Sequence, residues 1–426
     1  MRSTLRISPT AATALVAILA VLSMGWSSCA SAQSNSGYGY QDLGSLGGTF
    51  VGPVAASATG VAVGQAFTAK GGTTSFVYSG GSIRDIGGLG GTSSGAFYVN
   101  AAGQVAGQSY TVGNAANHAF LYSDGRTADI GTLGGTGSYV AGMNASGQVV
   151  GYSDTRGNVS TNAFLYSAGT LTNLGTLGGS YSAAAGINNA GQVVGSAYTT
   201  GDAASHAFLY GAGKMLDLGT LGGSTSFATA INDSGQVIGD SYLTGNSASH
   251  AFLANAGRML DLGTFGGSTS TAVAINSAGQ VIGNAYATGD TATRAFLYSG
   301  GKLLDLGTLG GTNSFATGVN SFGQVIGVSD IAGNKAQHSF LYANGKMIDI
   351  DSPLVGIKGF VAAGINDAMQ IIGTALTAAG VTRGLIVTPV PEGDGLWLMA
   401  VGLLALGGLS RLRKPIGTPQ PAVPTP

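Results

Sequence analysis

The chain is poor in charge and almost free of cysteine. Charged residues make up 8 % of its 426 positions, against roughly 25 % in an average soluble domain. The formal net charge is −1, so no field of one sign draws it to nucleic acid or to an acidic surface. Cys29 is the only cysteine, and it lies in a leader expected to be removed. That excludes disulfides, a thiol nucleophile and a cysteine-ligated metal from the remainder. Glu392 is the only glutamate, and every other acid is aspartate.

Glycine takes the place of charge, with 75 residues, and it is periodic. A Leu-Gly-Gly or Phe-Gly-Gly core begins at Leu46, Leu89, Leu133, Leu177, Leu221, Phe265 and Leu309, spaced by 43 residues once and by 44 five times. Residues 217–260 are one such unit, and an eighth copy from Asp349 keeps the frame without the glycines. A repeat of this length fixes architecture before any motif is weighed, because stacked units extend without one oversized core.

Within the unit, four short β-type runs are separated by turn signals: residues 214–218, 227–231, 236–242 and 250–253. Asn-x-x-Gly recurs at Asn100, Asn144, Asn188, Asn232, Asn276 and Asn320, as suits a type I turn ending on a left-handed glycine. Gly-Asn or Gly-Asp pairs at Gly113, Gly157, Gly201, Gly245, Gly289 and Gly333 close the next hairpin. Leu-Gly-Gly has neither the lysine nor the helix of a phosphate-binding loop, so no nucleotide is needed to explain it. Four strands in 44 residues is the arithmetic of a propeller blade. The expected fold is all-β, a β-propeller of about eight four-stranded blades over residues 42–388, with seven blades or an open β-solenoid as alternatives. The array opens on the first strand of a unit and ends on a fourth, so the two chain ends should complete one hairpin and lock the ring.

His-Ala-Phe at His118, His206 and His250, set among Leu-Gly-Thr-Leu-Gly-Gly and Gly-Gln-Val-Val/Ile-Gly, resembles the bacterial HAF family of extracellular repeats. The resemblance covers residues 42–388. It implies a secreted repeat protein, and no activity that transfers to a position.

The two ends read as addresses. Residues 1–32 have Arg2 and Arg6, an apolar run, and Ala30-Ser31-Ala32 before Gln33, the layout of a signal peptide cleaved by signal peptidase. At the other end Val390, Pro391 and Glu392 precede an apolar stretch at residues 396–409, followed by Arg411, Arg413 and Lys414. The stretch is a minimal membrane span with its positive side cytoplasmic. This order resembles the PEP-CTERM sorting signal of Gram-negative bacteria over residues 390–414. The resemblance implies an exosortase-like partner, transient anchoring in the inner membrane, and delivery to the cell surface or an exopolysaccharide matrix. Gly393 stands where that signal usually has a second proline, and a Pro-rich tail, residues 415–426, follows. A plain C-terminal anchor is the alternative.

Candidate chemistry is thin. His118, His206, His250 and His338 share one register, filled elsewhere by Ser75, Asn162, Arg294 and Arg383. A catalytic histidine is unique, so a recurring one reads as a strand residue pairing within its blade. A metal would need the Asp of Asp-Leu-Gly as partner, yet Asp85 and Asp261 should face a serine-like or an arginine partner. Glycoside hydrolysis needs two carboxylates at about 5–10 Å. Acids outside the repeat frame include Asp124, Asp154, Asp240, Asp330, Asp351 and Asp367. Lys214, Arg258, Lys302, Lys346 and Arg126 share a register on one strand face. Tyr110, Tyr152, Tyr198, Tyr242 and Tyr286 are read at one register, either packing between blades or ringing one face.

The expectation is an exported, non-enzymatic binding or structural propeller, needing no cofactor or metal, whose partner is exopolysaccharide or a surface protein. The alternative is a polysaccharide hydrolase or lyase on the same scaffold.

Overall fold

A computed structural model describes residues 37–354 and 356–389. The leader with Ala30 and Ala32, and the segment from Val390 through Lys414, lie outside the described residues. Strands run from Tyr38–Asp42 to Thr382–Pro389, and the only helical pieces among the described residues are single 3-10 turns.

Eight antiparallel four-stranded blades form the fold. In the fifth they are an inner strand Gly222–Ile231, a second strand Val237–Leu243, a third strand Ser249–Asn255 and an outer strand Arg258–Asp261. The blade boundary therefore falls after the first run of each sequence unit, which becomes the outer strand of the preceding blade. The inner strand is longer than the pattern 227–231 suggests, because it starts on the Gly-Gly pair. Blade 8 takes Ile357–Ile365, Ile371–Thr377 and Thr382–Pro389 from the C-terminal end. Its outer strand is Tyr38–Asp42, paired antiparallel to Thr382–Pro389. The two ends complete one hairpin, as the reading of the repeat requires.

Closure is also visible in packing. Leu43 and Val51 at the start of the ring share a buried cluster with Ile372 and Ile386 of blade 8. Most interfaces repeat one recipe, in which valine or isoleucine of a second strand meets the third-strand phenylalanine of the next blade, as with Val194 and Phe252. Ala106 takes the aliphatic place against Phe164, and Ile326 meets the inner-strand Phe360 of blade 8. Those phenylalanines, the last letter of His-Ala-Phe, are fully buried from Phe76 to Phe340.

The glycine of Gln-Val-Ile-Gly is explained by close approach rather than by φ. At Gly151 a Cβ would overlap the carbonyl oxygen of Tyr139, and at Gly239 that of Phe227. The inner strand bulges one or two residues further on, bending its carbonyl into space that only glycine leaves free.

Antiparallel alternation gives the ring two faces. One carries the Asn-x-x-Gly turns and is here called the asparagine face. The other carries the Gly-Gly starts, the 3-10 turns, the histidines and the ends of the second strands, and is the glycine face.

Candidate functional site

The asparagine face is an architectural belt. In each turn the Asn N–H and C=O bond the Gln and Gly that follow, as in Asn144 N→Gln148 O and Gly147 N→Asn144 O, both at 3.1 Å. Gly147 is left-handed at φ 75°, and Met369 takes that conformation at φ 56° where the last turn lacks glycine. The side chain does more. Asn188 Oδ1 accepts from Gln192 N at 2.9 Å, while Nδ2 donates to Gln192 Oε1 at 2.8 Å and to the carbonyl of Asn232 in the next blade at 3.1 Å. The inter-blade bond recurs from Asn100 around to Asn366, which donates to Ser57 O at 3.2 Å. Ser57 is too short to pass the link on to blade 2. The belt surrounds a recess of about 360 Å³ at the channel mouth, lined by Asn144, Asn188, Asn232, Asp233, Ile187 and Ile231 among others. Asp233 is engaged there by the backbone and side-chain amides of Asn189 at 2.9 and 2.8 Å.

The glycine face holds the histidines. His118, His206, His250 and His338 each bring Nδ1 to the Asp of Asp-Leu-Gly on the adjoining outer strand, Asp129, Asp217, Asp261 and Asp349, at 2.8–2.9 Å. Asp129, Asp217 and Asp261 also accept from the Gly N–H two residues on at 2.7 Å, so the pair staples a strand end. Exposed pairs of this kind contribute about 0–1 kcal/mol. Two assignments change. Asp261 faces His250, not an arginine. Thr74, not Ser75, occupies the histidine register of blade 1 and donates to Asp85 at 2.6 Å. The residue missing from that 43-residue unit lies in the hairpin after Thr68, ahead of the third strand. Elsewhere Asn162 donates to Asn173 at 3.0 Å, and Arg383 stands 3.9 Å from Asp42. Among the described residues no group of three or more His, Cys, Asp or Glu is placed to hold a metal.

The acids outside the frame do not converge. Asp124 sits in a turn on the asparagine face, accepting from Ser123 Oγ at 3.0 Å. Asp367 accepts from Ser321 N at 2.9 Å on that same face. Asp240 points from blade 5 to blade 6 and accepts from Ala272 N at 2.8 Å. Burial pushes its carboxyl up to about 6. Asp351 lies in the segment entering blade 8, and burial, opposed in part by His338, pushes it up to about 7. Its neighbour Asp349 is held below the ordinary value despite burial, by hydrogen bonds from Ser352 and His338. The inner strands carry a single charged residue, Lys358. The channel wall thus lacks carboxylates of its own. Arg126, Lys214, Arg258, Lys302 and Lys346 open five outer strands and are exposed, as their shared register implies.

The tyrosines separate into two sets. Tyr110, Tyr198, Tyr242 and Tyr286 are at one register, at the ends of the second strands and 37–40 % exposed. Tyr152 is two residues out of that register, because Tyr152 pairs with Ala163 while Asp154 pairs with Thr161. Asp154 and Asp330 hold the tyrosine position in blades 3 and 7. Tyr152 instead stacks on Tyr139 of the inner strand, with centroids 5.0 Å apart and planes at 22°. In blade 4, Tyr181 and Tyr198 lie 5.2 Å apart. Burial raises the phenol pKa of Tyr181, and Tyr152 and Tyr198 push it the same way. The adjoining blades 3 and 4 thus each carry one ring pair. Reading by residue type hid this cluster; counting positions within the 44-residue frame would have found it.

No family model matches the chain, and no curated protein matches it. Dipeptidyl peptidase 4 of Porphyromonas gingivalis is similar over 72 % of this chain and 53 % of its own length, at 9 % identity and a TM-score of 0.48. TolB of Acinetobacter baumannii is similar over 68 % of this chain and 64 % of its own, at 11 % identity and a TM-score of 0.36. Trypanosoma rangeli sialidase, in complex with the inhibitor DANA, is similar over 80 % of this chain and 61 % of its own, at 12 % identity and a TM-score of 0.31. The chain thus spans between half and two-thirds of their lengths. At that distance they bear on neither activity nor ligand.

Proposed function

We propose that the chain is an exported surface or matrix propeller that binds rather than catalyses, with exopolysaccharide as its partner. One observation carries the binding reading: the irregular carboxylates are scattered over separate blades, while aromatic rings gather on one face. Export rests on the leader ending at Ala30 and Ala32. Sorting rests on Val390, Pro391 and Glu392 with Arg411, Arg413 and Lys414, read as the signal for an exosortase-like enzyme. The test is to fractionate producing cells carrying the wild-type chain and Glu392→Ala. The wild type should be found in the surface and matrix fractions, and the variant should stay in the inner membrane. Wild type confined to the cytoplasm would end the reading.

One feature favours the enzymatic alternative. Asp351 and Asp349 are adjacent acids with pKa values pushed apart, the pattern of an acid and a base, and Asp351 N donates to Asp349 Oδ1 at 2.9 Å. Against it, both carboxylate oxygens of Asp351 are buried, closed to a substrate. Release of reducing ends from matrix glycans, lost in Asp351→Asn, would establish the enzyme.

A further inference from the structure

We propose that the glycine-face ends of the adjoining blades 3 and 4 form a platform for a neutral, hydroxyl-rich pyranose chain. Tyr139, Tyr152, Tyr181 and Tyr198 supply the rings and Asp154 supplies a hydrogen-bond acceptor. The inference rests on the glycan-binding reading above and names its site.

The cluster exists because blade 3 carries tyrosines where blades 5 and 6 make an inter-blade hydrogen bond and where its neighbours have small residues. At the position of Tyr152, blades 5 and 6 carry Asp240 and Asn284, whose oxygens accept from Ala272 N and Ala316 N of the next blade at 2.8 Å. Tyr152 forgoes that inter-blade bond and stacks on Tyr139 instead. At the position of Tyr139, neighbouring blades have only Gly95 and Ala183.

Asp154 departs in the same direction. Its counterpart Asp330 in blade 7 is closed off: Asn313 N and Nδ2 donate to one oxygen at 3.0 and 2.8 Å, and Gln337 donates to the other at 3.0 Å. In blade 3 the residue matching Asn313 is Gly137. A Cβ there would meet Asp154 Oδ2 at 3.0 Å and the Tyr139 hydroxyl at 3.1 Å, so a carboxylate and a phenol converge over a spot left open by glycine. Thr161 donates to the other carboxylate oxygen at 3.1 Å, fixing the group without covering it.

Rigid rings with polar tips and a convergent acceptor suit a ligand with apolar C–H faces and a hydroxyl rim. That is a pyranose chain. A polyuronate would bring its carboxylates against Asp154, so the site selects neutral sugars.

The test is affinity electrophoresis of the full chain through gels containing a soluble β-glucan or polygalacturonate. The β-glucan should retard the wild type. Tyr152→Ala, Tyr198→Ala and Asp154→Asn should each weaken retardation about tenfold. Phe67→Ala, at the Tyr198 register in blade 1, should have no effect. Tyr198 is exposed, so its variant keeps the test valid if Tyr152→Ala misfolds. Equal retardation of all variants overturns the site and leaves the glycan-binding reading standing. Preference for polygalacturonate overturns the neutral-sugar site. Retention by neither polymer sinks both.

Discussion

Six blade interfaces are sewn by a buried serine at one inner-strand position. At the blade 7–blade 8 interface the serine is Ser339 of the third strand, which donates to Phe360 O at 2.6 Å and accepts from Ala362 N at 3.0 Å. The blade 8–blade 1 closure has Val51 at the inner-strand position. Ser94, Ser138, Ser182, Ser226, Ser270 and Ser314 each accept, at 2.8–3.0 Å, a backbone N–H from the third strand of the preceding blade. In blade 8 that inner-strand position is Phe360, and in blade 1 it is Val51, both 1 % exposed. Phe360 lays its ring over Gly373, as third-strand Phe120 does over Gly107, while Leu385 stands where the phenylalanine should be. The aromatic has moved from one strand to another, and the serine has moved to the facing strand as Ser339. A hydrogen bond dictates register between copies that would otherwise slip. At the seam, where blade 8 closes on blade 1, the pairing of the two chain ends already dictates register, so apolar packing around Val51 suffices there.

The comparison breaks most severely at Phe360. Phe360→Ala should cost about 3–5 kcal/mol, as loss of a fully buried phenylalanine does, read as a fall in the urea midpoint. Ser226→Ala should cost less, about 1–3 kcal/mol, because it leaves Ala207 N and Gly219 O unpaired in the interior. A serine variant as damaging as the phenylalanine one would erase the distinction.

Asp240 sharpens it at a second inter-blade position. Its carboxyl is raised by burial to about 6 from 3.8, so the folded state keeps a proton that the unfolded chain has lost. The resulting stability is fully present below about pH 4 and is lost as the pH rises through about 6. Asp240→Asn, copying Asn284 one blade on, keeps an acceptor for Ala272 N without the charge. It should stabilise by about 3 kcal/mol at pH 7 and flatten stability between pH 4 and 6. An unchanged pH profile would remove Asp240 as its source. The smallest effect is expected at Ser57, where Ser57→Asn would supply the inter-blade link missing from the belt. A gain of about 0.5–1.5 kcal/mol in thermal or urea unfolding is expected, and a loss would show that the seam cannot take the repeat's own solution.

The period, the turn glycines and the closing hairpin were legible because each is a local backbone demand, such as the positive φ of Gly147. The serine staples and the asparagine belt were not, since their partners lie on a neighbouring blade. A turn asparagine looks the same whether or not its amide spans the gap. The tyrosine platform was misread for a related reason. By side chain Tyr152 belongs with the other tyrosines, whereas its pairing with Ala163 puts it on a different position. The histidines were correctly read as strand residues, but Thr74 shows how one missing loop residue shifts an alignment.

The central claim is that residues repeated around the ring build it and that binding lies where Tyr139, Tyr152, Asp154 and Tyr181 depart from the pattern, beside Tyr198. Amide hydrogen exchange of the full chain, with and without soluble β-glucan, tests this most directly. The account predicts slowed exchange confined to peptides covering 137–154 and 179–200, with the asparagine turns unchanged. Slowing spread evenly over all eight blades, or centred on the Asn188 and Asn232 turns at the channel mouth, would contradict it.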